Sequence, residues 1–558
     1  MDPVSRRCAL KLMAGGTLAL YLSPAHRALA ESLQGKAGMP EFSPIDRTLG
    51  DVADAQFFAD DPERAHKVLW DKPGFIQSLP GKKLPSPTEK APLVIIGGGM
   101  SGLFSAYLLR EHKPVVLEQA TRFGGNAKGQ SWKGIDYSIG AAYFIEPDED
   151  SDIAKLCSEL NLDQDWKLKE EEDPVLWKGQ VYEEFWTGES APEAKEQFEK
   201  LRKYFEAVNV GEEYPYPDIP IVDPEQEQYI KDLDKVSFKA HLEKIAGGPL
   251  HQQIETAIEQ YCWSSFNASS QEISAASGLN FYASEFSNLI LFPGGNSAVA
   301  ERVLSRLVKD LPPTSLRPGS LVFDVTVTKE GVNVSYQDAQ SNVHCIQAKA
   351  VVMACPKFVA KKVLSDIEPA RVAAIDKIRY RSYLVANVLL KQVPERSFYD
   401  LYMLGTDRIN FSDVTGSAQK QKITDVILAT YAKPNADHTV LTLYRGMPYE
   451  GARADLYAPG SYGRYREGFE KQIYESILPV LKLDKQNVVD LRIARWGHPL
   501  PVAGVGLIAD GTLEAVRKPF RDRVFFVEQD NWALPAFETA VTEALSGAEL
   551  VKAFLAKA

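Results

Sequence analysis

Gly97-Gly98-Gly99-Met100-Ser101-Gly102 places glycine at the first, third and sixth positions of a G-x-G-x-x-G run. That spacing suits a turn from a strand into a helix. The first glycine makes the tight turn, the second lets backbone approach a pyrophosphate, and the third lets helix and strand pack closely. Amide N–H groups at the helix start then face the negative charge. Glu118 lies 21 residues past Gly97, where a carboxylate accepts hydrogen bonds from ribose hydroxyls. The chemistry implied is dinucleotide binding. No second run of this kind follows an apolar stretch, so a separate NAD(P)H site has no support.

Three elements must position these residues, and each is present. Leu93-Val94-Ile95-Ile96 is a continuous apolar run suited to a strand buried on both faces. Leu103 to Arg110 continues with helical spacing, and Val115-Val116-Leu117 forms a second strand that ends on Glu118. The unit predicts an α/β fold with a Rossmann-like domain. Further on, Leu384 to Leu390 reads as a strand. The stretch Tyr465 to Leu481 reads as a helix whose Phe469, Ile473, Ile477 and Leu481 form a core stripe.

The chain has 558 residues, 45% hydrophobic and 25% charged, which excludes disordered, collagenous and coiled-coil classes and exceeds what one core usually supports. A net charge of -12 repels nucleic acid and anionic lipid, and no local basic patch reverses it. The first thirty residues differ from the rest. Arg6 and Arg7 precede an 11-residue apolar run, Leu12 to Leu22, and Ala28-Leu29-Ala30 has the form of a cleavage site. The run is shorter than the roughly 20 residues of a spanning helix, so a permanent membrane anchor is not expected. Ser5-Arg6-Arg7 followed by Leu10-Lys11 resembles a twin-arginine signal, which implies the Tat export machinery as a partner and a periplasmic location. Without residues 1–30 the charge is -15. Cys157, Cys262, Cys345 and Cys355 remain, in spacings that match no disulfide framework, c-type haem or zinc site; free thiols and no metal are expected.

Five ordered segments carry a family resemblance. Arg122-Phe123-Gly124-Gly125-Asn126 resembles the Arg-x-Gly-Gly signature of the flavin-dependent amine oxidase and phytoene desaturase superfamily. Asp136 to Tyr143 resembles its stretch toward the isoalloxazine ring, and Phe292-Pro293-Gly294-Gly295 its turn before a helix, here Ala298 to Leu307. Ala350 to Pro356 is similar to its re-entry strand, and Arg523 to Asp530, then Pro535 to Glu538 and Ala544 to Ala548, to its closing strand, flavin-contacting acid and final helix.

The resemblance implies a FAD-binding domain from residues 91–150, 291–369 and 491–558, interleaved with a mixed helical and sheet substrate domain from 151–290 and 370–490. Residues 1–30 are the signal, and 31–90 a surface extension and linker. It implies that Gly97, Gly99 and Gly102 hold the pyrophosphate, Glu118 the adenosine ribose, and Arg122, Gly124 and Gly125 the phosphate side. Gly140 lies toward the flavin ring, Val322 or Val325 by the adenine, and Asp530 on the ribitol chain. Backbone from Thr539 through Ala540 to Val541 faces the flavin's pyrimidine edge. No cysteine follows Cys355, so the carboxy-terminal cysteinyl link of some relatives is impossible and FAD is non-covalent.

The amine oxidases place a lysine near flavin N5, and alignment by eye puts Asn387 there; an amide holds a water but supplies no charge. His498, in Arg495-Trp496-Gly497-His498-Pro499, is the candidate base or substrate hydrogen-bond partner. Tyr143, Trp496 and Trp532 are candidate substrate-pocket walls, and Glu170 to Asp173 reads as a solvated face. The leading expectation is an exported oxidoreductase moving a hydride from a small organic substrate, an amine or amino acid, to FAD and on to oxygen, a quinone or a protein acceptor. Alternatives are a desaturase or isomerase acting on carbon-carbon bonds of an apolar substrate, and a flavin-bearing relay or binding protein. An amine enzyme requires aromatic walls with a polar anchor; a desaturase requires a deep carbon-lined tunnel.

Overall fold

The computed structural model describes residues 56–211 and 213–557. The expected signal peptide, residues 1–30, lies outside them. Among the described residues no helix is long and apolar enough to cross a membrane.

The strand Glu89–Ile96 ends on four apolar residues that are all buried. It pairs in parallel with Val115–Leu117 on one side and with Val343–Met353 on the other. The short strand Leu316–Arg317 extends the parallel edge, and Val524–Phe526 joins the distal half of Val343–Met353, also in parallel. The proximal half of that long strand pairs antiparallel with Val332–Gln337, which pairs with Leu321–Val327. This seven-stranded mixed sheet is packed on one face by the helices Met100–Leu108, Ser297–Asp310 and Phe537–Leu555. An α/β architecture with a Rossmann-like sheet is thus observed.

The second sheet has eight strands, in the order Phe58–Ala59, Val488–Pro501, Tyr380–Leu390, Thr439–Gly446, Asp425–Leu428, Asp400–Met403, Val175–Trp177, Gln180–Tyr182. The two long strands at Tyr380 and Val488 run antiparallel over most of their length. Ser461–Gln472 and the turns after it bury Tyr465, Phe469, Ile473, Ile477 and Leu481 against this sheet, as the four-residue spacing requires. A helical cluster, including Lys195–Val210, Gln252–Phe266 and Ala275–Ser284, packs a separate aromatic core beside it.

Two expected boundaries move. The strand Val488–Pro501 belongs to the eight-stranded sheet, so the chain leaves that sheet after Pro501 rather than near 491. The segment expected as surface extension supplies Phe58–Ala59, paired in parallel with Ala494 and Arg495. Backbone hydrogen bonding to an available sheet edge decides this, and a two-residue strand has no periodicity to reveal it.

The glycine turn sits where the parallel strands end. Gly97 has φ +110°, and a Cβ there would lie 2.2 Å from the Ala354 carbonyl oxygen. A Cβ on Gly102 would lie 2.0 Å from the Gly97 carbonyl, so helix and strand touch backbone to backbone. Gly102→Ala is therefore expected to cost about 1–3 kcal/mol of stability through forced separation, lowering the thermal midpoint by several degrees. A calorimetric scan of the variant checks this.

Candidate functional site

A cavity of about 1840 Å³ runs between the two sheets. Ligand pockets for drug-sized molecules occupy roughly 300–1,000 Å³, so this one has room for a dinucleotide together with a substrate.

At one end the Gly97-Gly98-Gly99 turn and the start of the Met100–Leu108 helix form the floor. Gly125, with φ +58°, faces Gly99: a Cβ on Gly125 would lie 2.8 Å from the Gly99 Cα. The Arg122-x-Gly-Gly loop and the glycine turn can thus approach only as bare backbone. Glu118 is buried and anchored by the turn itself, accepting from Gly98 N at 2.7 Å and Ala120 N at 2.8 Å. Arg122 and Lys128 line the same region. Burial lowers the Lys128 ammonium from its ordinary range, opposed by Glu118 and Asp60 and reinforced by Arg122. Two cations and a helix N-terminus create a setting for an anionic phosphate group.

The cover over this end comes from the amino-terminal segment. Arg64 donates to the carbonyls of Gly319 at 2.8 Å, Gln337 at 2.5 Å and Asp338 at 2.6 Å. Asp60 accepts from the Tyr457 hydroxyl and from Gly497 N at 2.9 Å. Asp60, Arg64 and His66 all line the cavity.

At the other end the walls are aromatic. Tyr143, Tyr383, Tyr444 and Trp496 line it, with Tyr383 and Tyr444 rings edge to face at 5.9 Å. Tyr444 donates to Gly140 O at 2.6 Å and Trp496 Nε1 to Ile139 O at 2.7 Å, so both rings are fixed against the loop that follows Asp136. Among the carboxylates that line the cavity, Glu285 is bonded to the Tyr143 wall. Glu285 Oε1 accepts from Tyr143 at 3.1 Å and from Tyr261 at 2.9 Å. Burial pushes its pKa up to about 7, with the two tyrosine hydrogen bonds and Lys169 pulling down and Asp173 pushing up. Behind it lie Asp173, Asp400 and Asp425, all raised chiefly by burial, with Lys169 bonded to Asp173 at 2.8 Å.

Most expected positions face the cavity: Gly97, Gly99, Glu118, Arg122, Gly124, Gly125, Gly140, Tyr143, Trp496, His498, Asp530 and Ala540. Gly102 lies just outside, packed on Gly97 as its expected helix-to-strand role demands. Several others do not face it. Asn387 is fully buried, its Nδ2 donating to Ser138 O and Thr442 Oγ1 at 2.9 Å, while Tyr383 and Val385 present that strand to the cavity. Its amide donors are thus committed to protein, while its Oδ1, buried and without a partner among the described residues, lies off the cavity wall. Val325 packs in the core with its carbonyl accepting from Ser365 N at 2.9 Å, and Val322 takes the lining place. Val541 is core. Trp532 turns away, donating to Glu543 at 2.6 Å beneath the Arg517 guanidinium. His498 stacks on Phe358 at 4.5 Å, and burial beside Arg453 and His66 lowers its pKa to about 3. A ring that stays neutral at such acidity is a poor base and serves as wall. Asp173 also departs from the solvated face: its side chain turns inward to Lys169 and accepts from Asp400 N at 3.1 Å.

Sequence reading missed Asp60, Arg64, Lys128, Glu285, Tyr383 and Tyr444. Glu285 alone had a local signal, since it is the sole charge between Ala275 and Phe292. The tyrosines come from strands with no motif.

The cavity fits FAD by its own atoms. Three sealed oxygens on its walls, Asp530 Oδ1, Thr539 Oγ1 and Asn296 Oδ1, have no partner among the described residues, and a ligand with hydroxyl and amide donors would satisfy them. Arg64→Ala removes the tie over the dinucleotide end; its FAD is expected to dissociate about tenfold faster, given about 1.5–3 kcal/mol for hydrogen bonds to a charged group. The rise of free-FAD fluorescence after dilution of the holoenzyme measures this.

Known proteins agree with the geometry. The family described as flavin containing amine oxidoreductase matches residues 100–444. Oxidoreductase PigB of Serratia sp. (strain ATCC 39006) is 24% identical, over 85% of this chain and 78% of its own length. Amine oxidase [flavin-containing] B of Sus scrofa is 27% identical over 50% of this chain and 52% of its own. Among solved structures, putrescine oxidase bound to putrescine superposes with TM-score 0.60 at 18% identity, covering 84% of this chain and all of its own. A fatty acid isomerase from P. acnes gives 0.60 at 16% identity over the same shares. With a matched domain over more than half its length and a cavity whose glycine turn, acid and orphaned oxygens suit the flavin dinucleotide, the chain belongs to the flavin-containing amine oxidoreductase family and is a FAD-dependent oxidoreductase.

Proposed function

We propose that the substrate is an amine, oxidised at the carbon bearing nitrogen. The observation that carries this reading is Glu285, a carboxylate held by Tyr143 and Tyr261 at the aromatic end of the cavity. An ammonium group meets a charge-assisted acceptor there, and the tyrosine and tryptophan faces offer further cation–π attraction. A tunnel for an apolar unsaturated substrate would gain nothing from a buried carboxylate. Lys169, the cation that acts on Glu285, is held by Asp173, so among the described residues it is not free for a substrate carboxylate. That favours a simple amine over an amino acid.

FAD, when bound, supplies the hydride acceptor. The protein residues orient and deprotonate. Glu285 in its ionised form attracts the ammonium and accepts its proton, leaving the nitrogen lone pair that assists hydride loss. Tyr383, Tyr444 and Trp496 flank the substrate and exclude water. The electrons pass on to oxygen, a quinone or a protein acceptor. Export by the twin-arginine route to the periplasm belongs to the same proposal and rests on residues 5–30.

Anaerobic bleaching of the flavin band by amines, but by neither amino acids nor unsaturated fatty acids, is the expected result; bleaching by fatty acids alone would overturn the reading. Because Glu285 must be ionised, kcat/KM is expected to rise with pH through about 7 and then level. Tyr261→Phe removes a hydrogen bond that favours the anion, so the limb should move to higher pH. Glu285→Gln should abolish it and lower kcat/KM by about 10²-fold or more, as expected for a lost charged partner worth about 3 kcal/mol.

A further inference from the structure

Beneath the cavity wall, where the helix Lys357–Val363 meets the last strand of the seven-stranded sheet, lies a lysine with no part in the chemistry above. Lys357 is 0% exposed. Its ammonium bonds the carboxylate of Glu528 and the side-chain oxygen of Asn531, and sits 4.8 Å from the Phe526 ring centre. A lysine removed wholly from water gives up its hydration, so its retention needs its partners. Lys357 itself does not line the cavity. Glu528 and Asp530 both do.

The hydrogen bonds divide these two acids. Glu528 gives Oε1 to Lys357 and Oε2 to Asp530 N at 2.7 Å. Both its oxygens are taken up by protein. Asp530 Oδ2 accepts from Lys357 N at 2.9 Å and from the Tyr380 hydroxyl at 2.5 Å. Asp530 Oδ1 has no partner and is sealed from bulk solvent.

We propose that Lys357 is a positioning residue for FAD: it holds Glu528 so that Asp530 keeps one oriented, unshared carboxylate oxygen for a hydroxyl of the cofactor, and its charge offsets one of two carboxylates beside a dianionic ligand. Burial raises the pKa of both acids, Glu528 to about 8, with Lys357 the chief influence opposing it. Without Lys357 the Glu528 carboxyl would lose the partner that fixes its Oε1 and would be free to compete for the donors that orient Asp530.

The test uses FAD release from the holoenzyme, read as free-FAD fluorescence, and the rise in thermal midpoint that excess FAD produces. K357M is expected to release FAD about tenfold faster and to show a smaller FAD-induced rise. K357M/E528Q, which removes both charges while the Gln side-chain oxygen still accepts from Asp530 N, is expected to return release to within about threefold of the parent. A merely structural lysine would lower the midpoint equally with and without FAD and leave release unchanged; that result overturns the proposal, as does equally fast release from the single and double variants. If K357M does not fold, D530N carries the test, since it keeps the Lys357–Glu528 pair. Release within about twofold of the parent would then show that Asp530 is not the group Lys357 serves. The outcome does not depend on which substrate the enzyme oxidises.

Discussion

The whole site depends on backbone meeting backbone at the carboxyl ends of two parallel strands. Met353 pairs with Ile96, and the chain then turns at Gly97 against Ala354, with Gly102 packed on Gly97 and Gly125 on Gly99. Any side chain at these points would push apart the loop carrying Arg122, the helix whose N-terminus faces the phosphates, and the strand bearing Glu118. With no side chains between them, the three segments converge within reach of one anionic group. The remaining architecture serves to close the space above it.

That closure comes from three directions. The eight-stranded sheet supplies the aromatic wall, because Tyr383, Tyr444 and Trp496 point from adjacent strands toward the loop at Ile139 and Gly140. The helical cluster supplies Glu285 at the carboxyl end of Ala275–Ser284. The amino-terminal segment crosses over, pinned by Arg64 and Asp60 to both sheets. Burial strengthens each electrostatic interaction within, and for the same reason Glu285, Glu528 and Asp530 all hold protons more tightly than exposed acids do.

The sequence by itself determined the dinucleotide end. The glycine spacing, the flanking apolar strands and the position of Glu118 are local constraints, each enforced within about 25 residues by the geometry of one strand-turn-helix unit. The tertiary structure alone decided the rest. Asn387 and Trp532 have suitable chemistry at suitable positions along the chain, yet Ser138 and Thr442 take the amide of one and Glu543 the indole of the other, so neither lines the cavity. Val322 and Val325 differ by three residues, and a register shift between Val322 and Asp324 brings both to one face, opposite Tyr336 and Val334, where Val322 alone of the two reaches the cavity. Glu285, Lys357 and Arg64 gain their roles from partners 24 to 274 residues away, contacts that no periodicity or motif records. Local spacing encodes backbone shape; long-range packing decides which side chains share a cavity, and the chemistry depends on which ones do.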